Sequence, residues 1–354
     1  VKRRASTRAA TIVSGLVLLS LVTACGSAAD GTTEAVEESP VADDAPALTV
    51  YSGRSEELVG PILEEFTEAT GTEVEVRYAD SPELALLIET EGERTPADVF
   101  VSQSPGALGY LAGMDALGTL SEDTLALVDE QYRNAAGHWV GVTGRVRVLV
   151  VNTDLVDVAT LPTSVLDLTD PAYRGQVALA PSNSSFQDFV TAFRETQGDD
   201  VAADWLAGMA ANDAQVYADN TAIVTAVGRG EVPMGLTNHY YSYRALAEEP
   251  DLPLENVFFP DGDIGSLLIT TGAAQLAASD QPEQADELIR FLLDESAQTF
   301  FTEETFEYPL ASDVQPAADL PALASLGVAT FDLDDLGGGL SRTLELIEDA
   351  GFAD

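Results

Sequence analysis

The chain has 354 residues, 60 of them acidic against 16 Lys+Arg, for a formal net charge of -44 with hydrophobic residues at 45%. That apolar share is too large for a disordered acidic chain, and the length fits about two domains of roughly 150 residues. The charge argues against nucleic acid and against docking on anionic lipid, and one cysteine with two histidines leaves neither a disulfide framework nor a Cys/His metal site.

Lys2, Arg3, Arg4 and Arg8 form a basic start, and residues 9–22 follow as an apolar stretch too short for a membrane span of ~20 residues. The run Leu21-Val22-Thr23-Ala24-Cys25-Gly26-Ser27 resembles the lipobox of bacterial lipoproteins. That resemblance implies a signal peptide over 1–24, lipidation at Cys25, and a lipid anchor on the extracytoplasmic face of the membrane. Two or more acyl chains suffice for stable anchoring. Residues 25–46 carry Gly, Ser, Thr, Pro and acids with no aromatic, the composition of a disordered tether reaching about 25 Å. Beyond Cys25 every cation is an arginine, 12 in all, so each merits attention.

The body then alternates strand and helix. Leu48 to Tyr51 is a short β-branched strand. Glu56 to Ala69 repeats apolar residues with helical period, with Ser55 as the expected N-cap and Gly71 as the stop. Glu73 to Tyr78 alternates as a strand, Pro82 to Glu91 reads helical, Ala97 to Val101 is a strand, and Pro105 to Met114 a helix with Pro at its first turn. This series predicts a parallel sheet covered on two faces. Arg145 to Val151 is a β-branched run that fits a strand crossing between two lobes. A second set follows: strand Gln176–Ala180, helices Ser185–Thr196 and Asp199–Ala211, strand Gln215–Tyr217, helix Thr221–Arg229 and strand Val232–Thr237. Ser266 to Thr271 fits the return crossing, with helices Pro282–Asp294, Ser296–Phe301 and Leu340–Ala350 beyond it. The expected fold class is α/β, two-lobed like the periplasmic binding proteins. Residues 47–145 plus 272–320 form one lobe and 146–271 plus 321–354 the other, with a ligand held between lobes that close by hinging.

Asn238-His239-Tyr240-Tyr241-Ser242-Tyr243-Arg244 follows the last of those strands. Successive residues of a strand face opposite ways, so Tyr240 and Tyr241 converge only if the strand breaks into a helix start. A phenolate is a hard anionic donor suited to Fe3+, although three interface tyrosines over a helix end are the commoner arrangement on chemistry alone. His239 is expected to point away from the pair, and His138 beside Trp139 to be a loop residue. The acidic runs Glu64-Glu65, Asp199-Asp200, Glu303-Glu304 and Asp334-Asp335 read as solvated faces.

The segments Val50 to Leu58, Pro96 to Gln103, Ala180 to Gln187, Asp219 to Ala222 and Asn238 to Tyr241, in this order, resemble the bacterial ferric-ion-binding proteins. These are transferrin-like solute-binding components of iron ABC transporters, and the likeness covers residues 47–354. It implies Tyr240 and Tyr241 as metal ligands, with Asn183, Ser184, Ser185, Asn220 and Asn238 around a synergistic anion, carbonate or phosphate. Arg54 falls where some members hold a carbonate, and Arg145 would serve if it reaches the cleft. Ser55 stands where many members have a ligating His, and Gln103 where some have a carboxylate, so both are assigned to the anion instead. Tyr243 or Tyr51 is the candidate third phenolate. The implied partners are a permease and ATPase, the implied cargo Fe3+ or a ferric chelate such as citrate, and the implied state a monomer. The same architecture carrying an organic or anionic solute, such as thiamine, a polyamine or a phosphonate, is the alternative. No G-x-S-x-G elbow, Walker A loop, Rossmann fingerprint or Cys nucleophile argues for an enzyme.

Overall fold

A computed structural model describes residues 46–331 and 339–352. The expected signal peptide, the lipidated Cys25, nearly all of the tether and the Asp334-Asp335 pair lie outside the described residues.

The first half alternates as its periodicity requires. It runs β1 (Leu48–Ser52), α1 (Glu56–Thr70), β2 (Val74–Tyr78), α2 (Ser81–Glu91), β3 (Val99–Ser102), α3 (Pro105–Ala112) and the one-turn α4 (Glu122–Leu125). α1 buries Leu58, Val59, Ile62, Leu63 and Phe66, the stripe that its 3.6-residue period sets. It stops at Gly71, whose φ of 78° is left-handed backbone that glycine adopts without cost. Ser55 takes the N-cap position, but its side chain makes no capping bond.

β4 (Val140–Asn152) is longer than the β-branched run alone predicts, and all of its 13 residues are buried. β5 (Val177–Leu179), α5 (Ser184–Gln197), α6 (Asp199–Ala211), β6 (Gln215–Val216), α7 (Asn220–Gly228), β7 (Met234–Asn238) and α8 (His239–Glu248) follow. The chain then forms β8 (Leu254–Val257), β9 (Leu268–Gln275), α9 (Pro282–Leu292), α10 (Glu295–Glu304), β10 (Tyr308–Pro309) and α11 (Leu340–Asp349). The short strands β8 and β10 have no counterpart in the sequence reading. Each is a brief pairing onto β4 that only tertiary contact creates.

The sheet order is β2-β1-β3-β9-β4-β7-β5-β6, with β8 and β10 also on β4. Its flanks are parallel, β1 to β2 and β3 on one side and β5 to β6 and β7 on the other. The centre is antiparallel. β4 pairs with β9 through Val140–Val146 and with β7 through Arg147–Val151. One strand therefore belongs to both halves, and β9 returns beside it as the sequence predicts. The largest apolar cluster runs from Tyr51, Leu84 and Phe100 to Phe186, Phe189 and Trp205. Each fully buried Val, Leu, Ile or Phe stabilises by roughly 1.5–3 kcal/mol, so this continuous core fixes the frame around the centre of the sheet.

Candidate functional site

β7 ends and α8 begins between Asn238 and His239, so the two tyrosines sit in the first helical turn. The break removes the strand alternation that would have sent them to opposite faces. Their rings stack, with centroids 4.1 Å apart and 28° between planes. Tyr240 is buried, its hydroxyl has no hydrogen-bond partner, and the Arg54 guanidinium lies 5.6 Å from its ring centre. Burial pushes the Tyr241 phenol above its ordinary value and the adjacent Tyr240 adds to this, while Arg54 and Asn220 act the other way.

Arg54 comes from the turn after β1. Gly53 lets that turn lie against α2, because a Cβ there would stand 1.8 Å from Ser81 Oγ. The same Ser81 Oγ accepts the Gln103 N–H at 2.8 Å, tying the turns after β1 and β3 together. Arg54 pairs with buried Glu307, which also accepts from the Thr143 hydroxyl. Burial works against the Arg54 charge, but Glu307 and the two tyrosines outweigh it and hold the guanidinium above its ordinary value.

His239 explains how Glu307 is delivered. Its Nδ1 accepts the Val146 N–H at 3.1 Å and its Nε2–H donates to the Phe306 carbonyl at 2.8 Å, which fixes the tautomer. Its ring stacks on Tyr308. Burial lowers its pKa to about 3, so the imidazole is neutral. Phe306 itself has a φ of 59°, a left-handed conformation uncommon outside glycine and held here by its surroundings. The His239 ring lies edge-on to Tyr240, with centroids 6.1 Å apart, but both its nitrogens are spent on backbone groups, and it pins the loop that carries Glu307.

On the other side of the tyrosines, the register pairs Arg147 of β4 with Asn238 of β7. Arg147 Nη1 donates to Asn238 Oδ1 at 3.2 Å and to Ser185 Oγ at 3.3 Å. Asn183 caps α5, accepting the Ser185 N–H at 3.1 Å, and its oxygen also takes the Ser185 hydroxyl and the Asn220 amide. That oxygen is filled by donors, so Asn183 shapes the loop at the start of α5 and has only its amide N–H groups left to offer an anion. Gln103 reaches across from β3, its Nε2 donating to Ser184 Oγ at 2.8 Å, while Arg145 donates to the Gln103 carbonyl.

The polar atoms left over are concentrated here. Arg54 Nη1, Arg145 Nε and Nη1, Arg147 Nη2, Asn220 Oδ1, Asn238 Nδ2 and the Tyr240 hydroxyl are buried without partners. Buried polar groups are nearly always paired in folded proteins, so such a knot marks a place for a polar ligand. Burial lowers Arg145 and Arg147, the latter to about 9.

Three expected site residues do not join this knot. Ser55 is exposed at the α1 N-cap, because the chain turns outward after Arg54. The Tyr51 hydroxyl is engaged by Glu91 at 3.1 Å under α2. Tyr243 lies one helical turn from Tyr240, but its ring stacks on Phe306. Arg147 and Glu307 were not singled out from sequence. The alternation Thr143, Arg145, Arg147 in an otherwise aliphatic strand was the available signal for Arg147, since those three share one face.

The strand-joined halves with a polar knot between them define a solute-binding protein. The profile of the bacterial extracellular solute-binding proteins matches residues 94–335, and the chain belongs to that family, whose members are extracytoplasmic transport components and not enzymes. It is 30% identical over 308 residues to the Fe(3+)-binding periplasmic protein of Serratia marcescens, covering 86% of this chain and 90% of that one. It is 32% identical over 286 residues to the major ferric iron-binding protein of Neisseria meningitidis, covering 79% and 85%. The crystal structure of iron-bound HitA from Pseudomonas aeruginosa superposes with a TM-score of 0.83 at 34% identity, covering 86% of this chain and all of that one. The two-lobed fold and the resemblance to ferric-ion-binding proteins are both borne out.

Proposed function

We propose that this protein captures Fe3+ between its halves through the phenolates of Tyr240 and Tyr241, together with a synergistic anion, and delivers it to an ABC permease. The observation that carries this reading is the stacked tyrosine pair, one hydroxyl unpartnered, beside three buried arginines. Fe3+ with two phenolates leaves one positive charge, and Arg54, Arg145 and Arg147 add more than Glu307 removes. An oxyanion such as carbonate or phosphate completes both the coordination and the charge. Arg54, Gln103, Ser184, Ser185, Asn220 and Asn238 surround it in this reading, with Arg145 and Arg147 as further donors. Among the described residues no group of three His, Cys, Asp or Glu side chains offers an alternative metal site. The lobes are 47–145 with 272–320 and 146–271 with 321–354, and the monomer is held at the membrane through lipidated Cys25 with the permease and its ATPase as partners.

The test is an absorbance titration with ferric ion and bicarbonate. A visible phenolate-to-iron charge-transfer band appears in the wild type and is lost in Tyr240→Phe/Tyr241→Phe. Retention of colour and affinity in that double variant overturns the assignment. The unpaired arginine N–H groups alone favour a second reading, an organic anion such as a phosphonate. Calorimetry with the phosphonate against ferric ion separates the two.

A further inference from the structure

Behind the arginines stands a carboxyl group that metal and anion binding do not use. Asp188 lies on α5 one turn after Ser185 and is 5% exposed. Ser104, at the N-cap of α3, and the guanidiniums of Arg145 and Arg147 on β4 all favour its charged form, and Arg147 lies 5.8 Å from the ring centre of the neighbouring Phe189. Asp188 Oδ2, Arg145 Nε and Nη1, and Arg147 Nη2 are all buried and unpartnered. Two guanidiniums and one carboxyl are thus gathered, out of water, without being spent on one another.

We propose that Asp188 is a proton-linked counter-charge to this arginine pair, so that an oxyanion held by Arg145 and Arg147 binds together with one proton taken up by Asp188. The proposal rests on the reading of the knot as an anion site. Without an anion, the carboxylate is the arginines' nearby negative charge. When an anion arrives, two negative charges compete for the same guanidiniums in a low-dielectric setting, and protonation removes the conflict. Burial already lifts Asp188 to about 7, with Ser104, Arg145 and Arg147 opposing the rise. An anion that engages the arginines weakens two of those three restraints, so binding raises the carboxyl further. Other groups near neutrality are accounted for. Burial keeps His239 neutral, and His138 bonds the Gly118 carbonyl. The coupling has the opposite sign to phenolate ligation, which releases protons, so the two are separable by omitting iron.

The experiment uses the iron-free protein and sulfate, which stays a dianion throughout the neutral range and so carries no proton of its own. Sulfate affinity is measured by calorimetry between about pH 6 and 8, in buffers of different ionisation enthalpy. Wild-type affinity rises on acidification from pH 8 with a slope approaching about tenfold per pH unit and levels off below about 7, and the buffer dependence at the alkaline end reports uptake of up to about one proton. Asp188→Asn, nearly isosteric, binds sulfate at least as tightly as the wild type does at the alkaline end, with no pH slope and no proton uptake. Ser104→Ala removes a hydroxyl that favours the charged form, so its slope moves to higher pH. This gives an independent arm should Asp188→Asn fold poorly. A flat wild-type profile, or proton uptake that persists in Asp188→Asn, overturns the proposal. Absence of sulfate binding to the wild type at every pH instead overturns the anion reading, and this proposal with it.

Discussion

Glu307→Gln probes the electrostatics of the cleft without altering either tyrosine. Glu307 is 1% exposed and its partner Arg54 4%. The amide matches the carboxylate in size, so packing is kept and the charge alone is lost. Removing one member of a buried ion pair costs about 3–5 kcal/mol, because the other charge is left uncompensated. The amide oxygen still accepts one guanidinium N–H, which puts the expected loss near ~3 kcal/mol in the iron-free protein. In the ferric form two phenolates and an anion stand beside Arg54 and replace part of the missing charge. The loss there is smaller by about 1.4 kcal/mol, and by thermodynamic linkage the variant binds its ligands about tenfold more tightly. Urea denaturation with and without ferric ion and bicarbonate measures both losses. A loss below ~1 kcal/mol in the iron-free protein, or equal losses in the two forms, refutes the assignment of Glu307 as the buried counter-charge of Arg54.

Ferric affinity should fall as pH drops. Burial raises Tyr241 above its ordinary value, so the phenol is neutral in the iron-free protein and each phenolate formed releases a proton. Two phenolates alone give about 100-fold per pH unit, which proton uptake by Asp188 with the anion reduces toward tenfold, and an affinity that stays flat between pH 6 and 8 in competition with a chelator counts against tyrosinate binding. Folding stability carries a separate pH signature from His239, whose pKa is depressed from 6.5 to about 3. The unfolded chain takes the proton first, so stability is full above 6.5 and declines toward about 3 with a slope of up to ~1.4 kcal/mol per pH unit. His239→Gln should flatten that component in denaturation curves, and an unchanged profile would refute it. Gln103→Ala removes the 2.8 Å bond to Ser184 and should speed ferric release about 2- to 10-fold, the equivalent of ~0.5–1.5 kcal/mol, as read by stopped-flow transfer to a chelator. Arg244→Ala breaks an exposed 3.1 Å contact to Glu57 and should change release by less than about fivefold, since surface pairs contribute ~0.2–1 kcal/mol.

Much of this was legible along the chain because the signals are local. The apolar stripe of α1, Gly71 at its end and the β-branched run within β4 each declare themselves within a few residues. The tyrosine pair was legible because strand geometry forbids the convergence of neighbours, which forces a break in the chain, and the break falls between Asn238 and His239. The electrostatic partners were hidden. Arg147 meets Asn238 through cross-strand register, and Glu307 reaches Arg54 from 253 residues away through a loop held by His239. No pattern along the sequence encodes either meeting. The surroundings of Tyr51 and Tyr243 were hidden for the same reason, since a phenol's chemistry is visible in sequence while its neighbour in space, Glu91 or Phe306, is not.

The 13-residue strand β4 is at once the spine of both sheet halves and the wall from which Thr143, Arg145 and Arg147 project. A polypeptide severed near Val146 would leave each fragment with an unfinished sheet and half a guanidinium row. Independent expression of the two halves therefore has no stable product to yield, and swapping one half for that of a distant cousin would have to preserve the seam residue by residue.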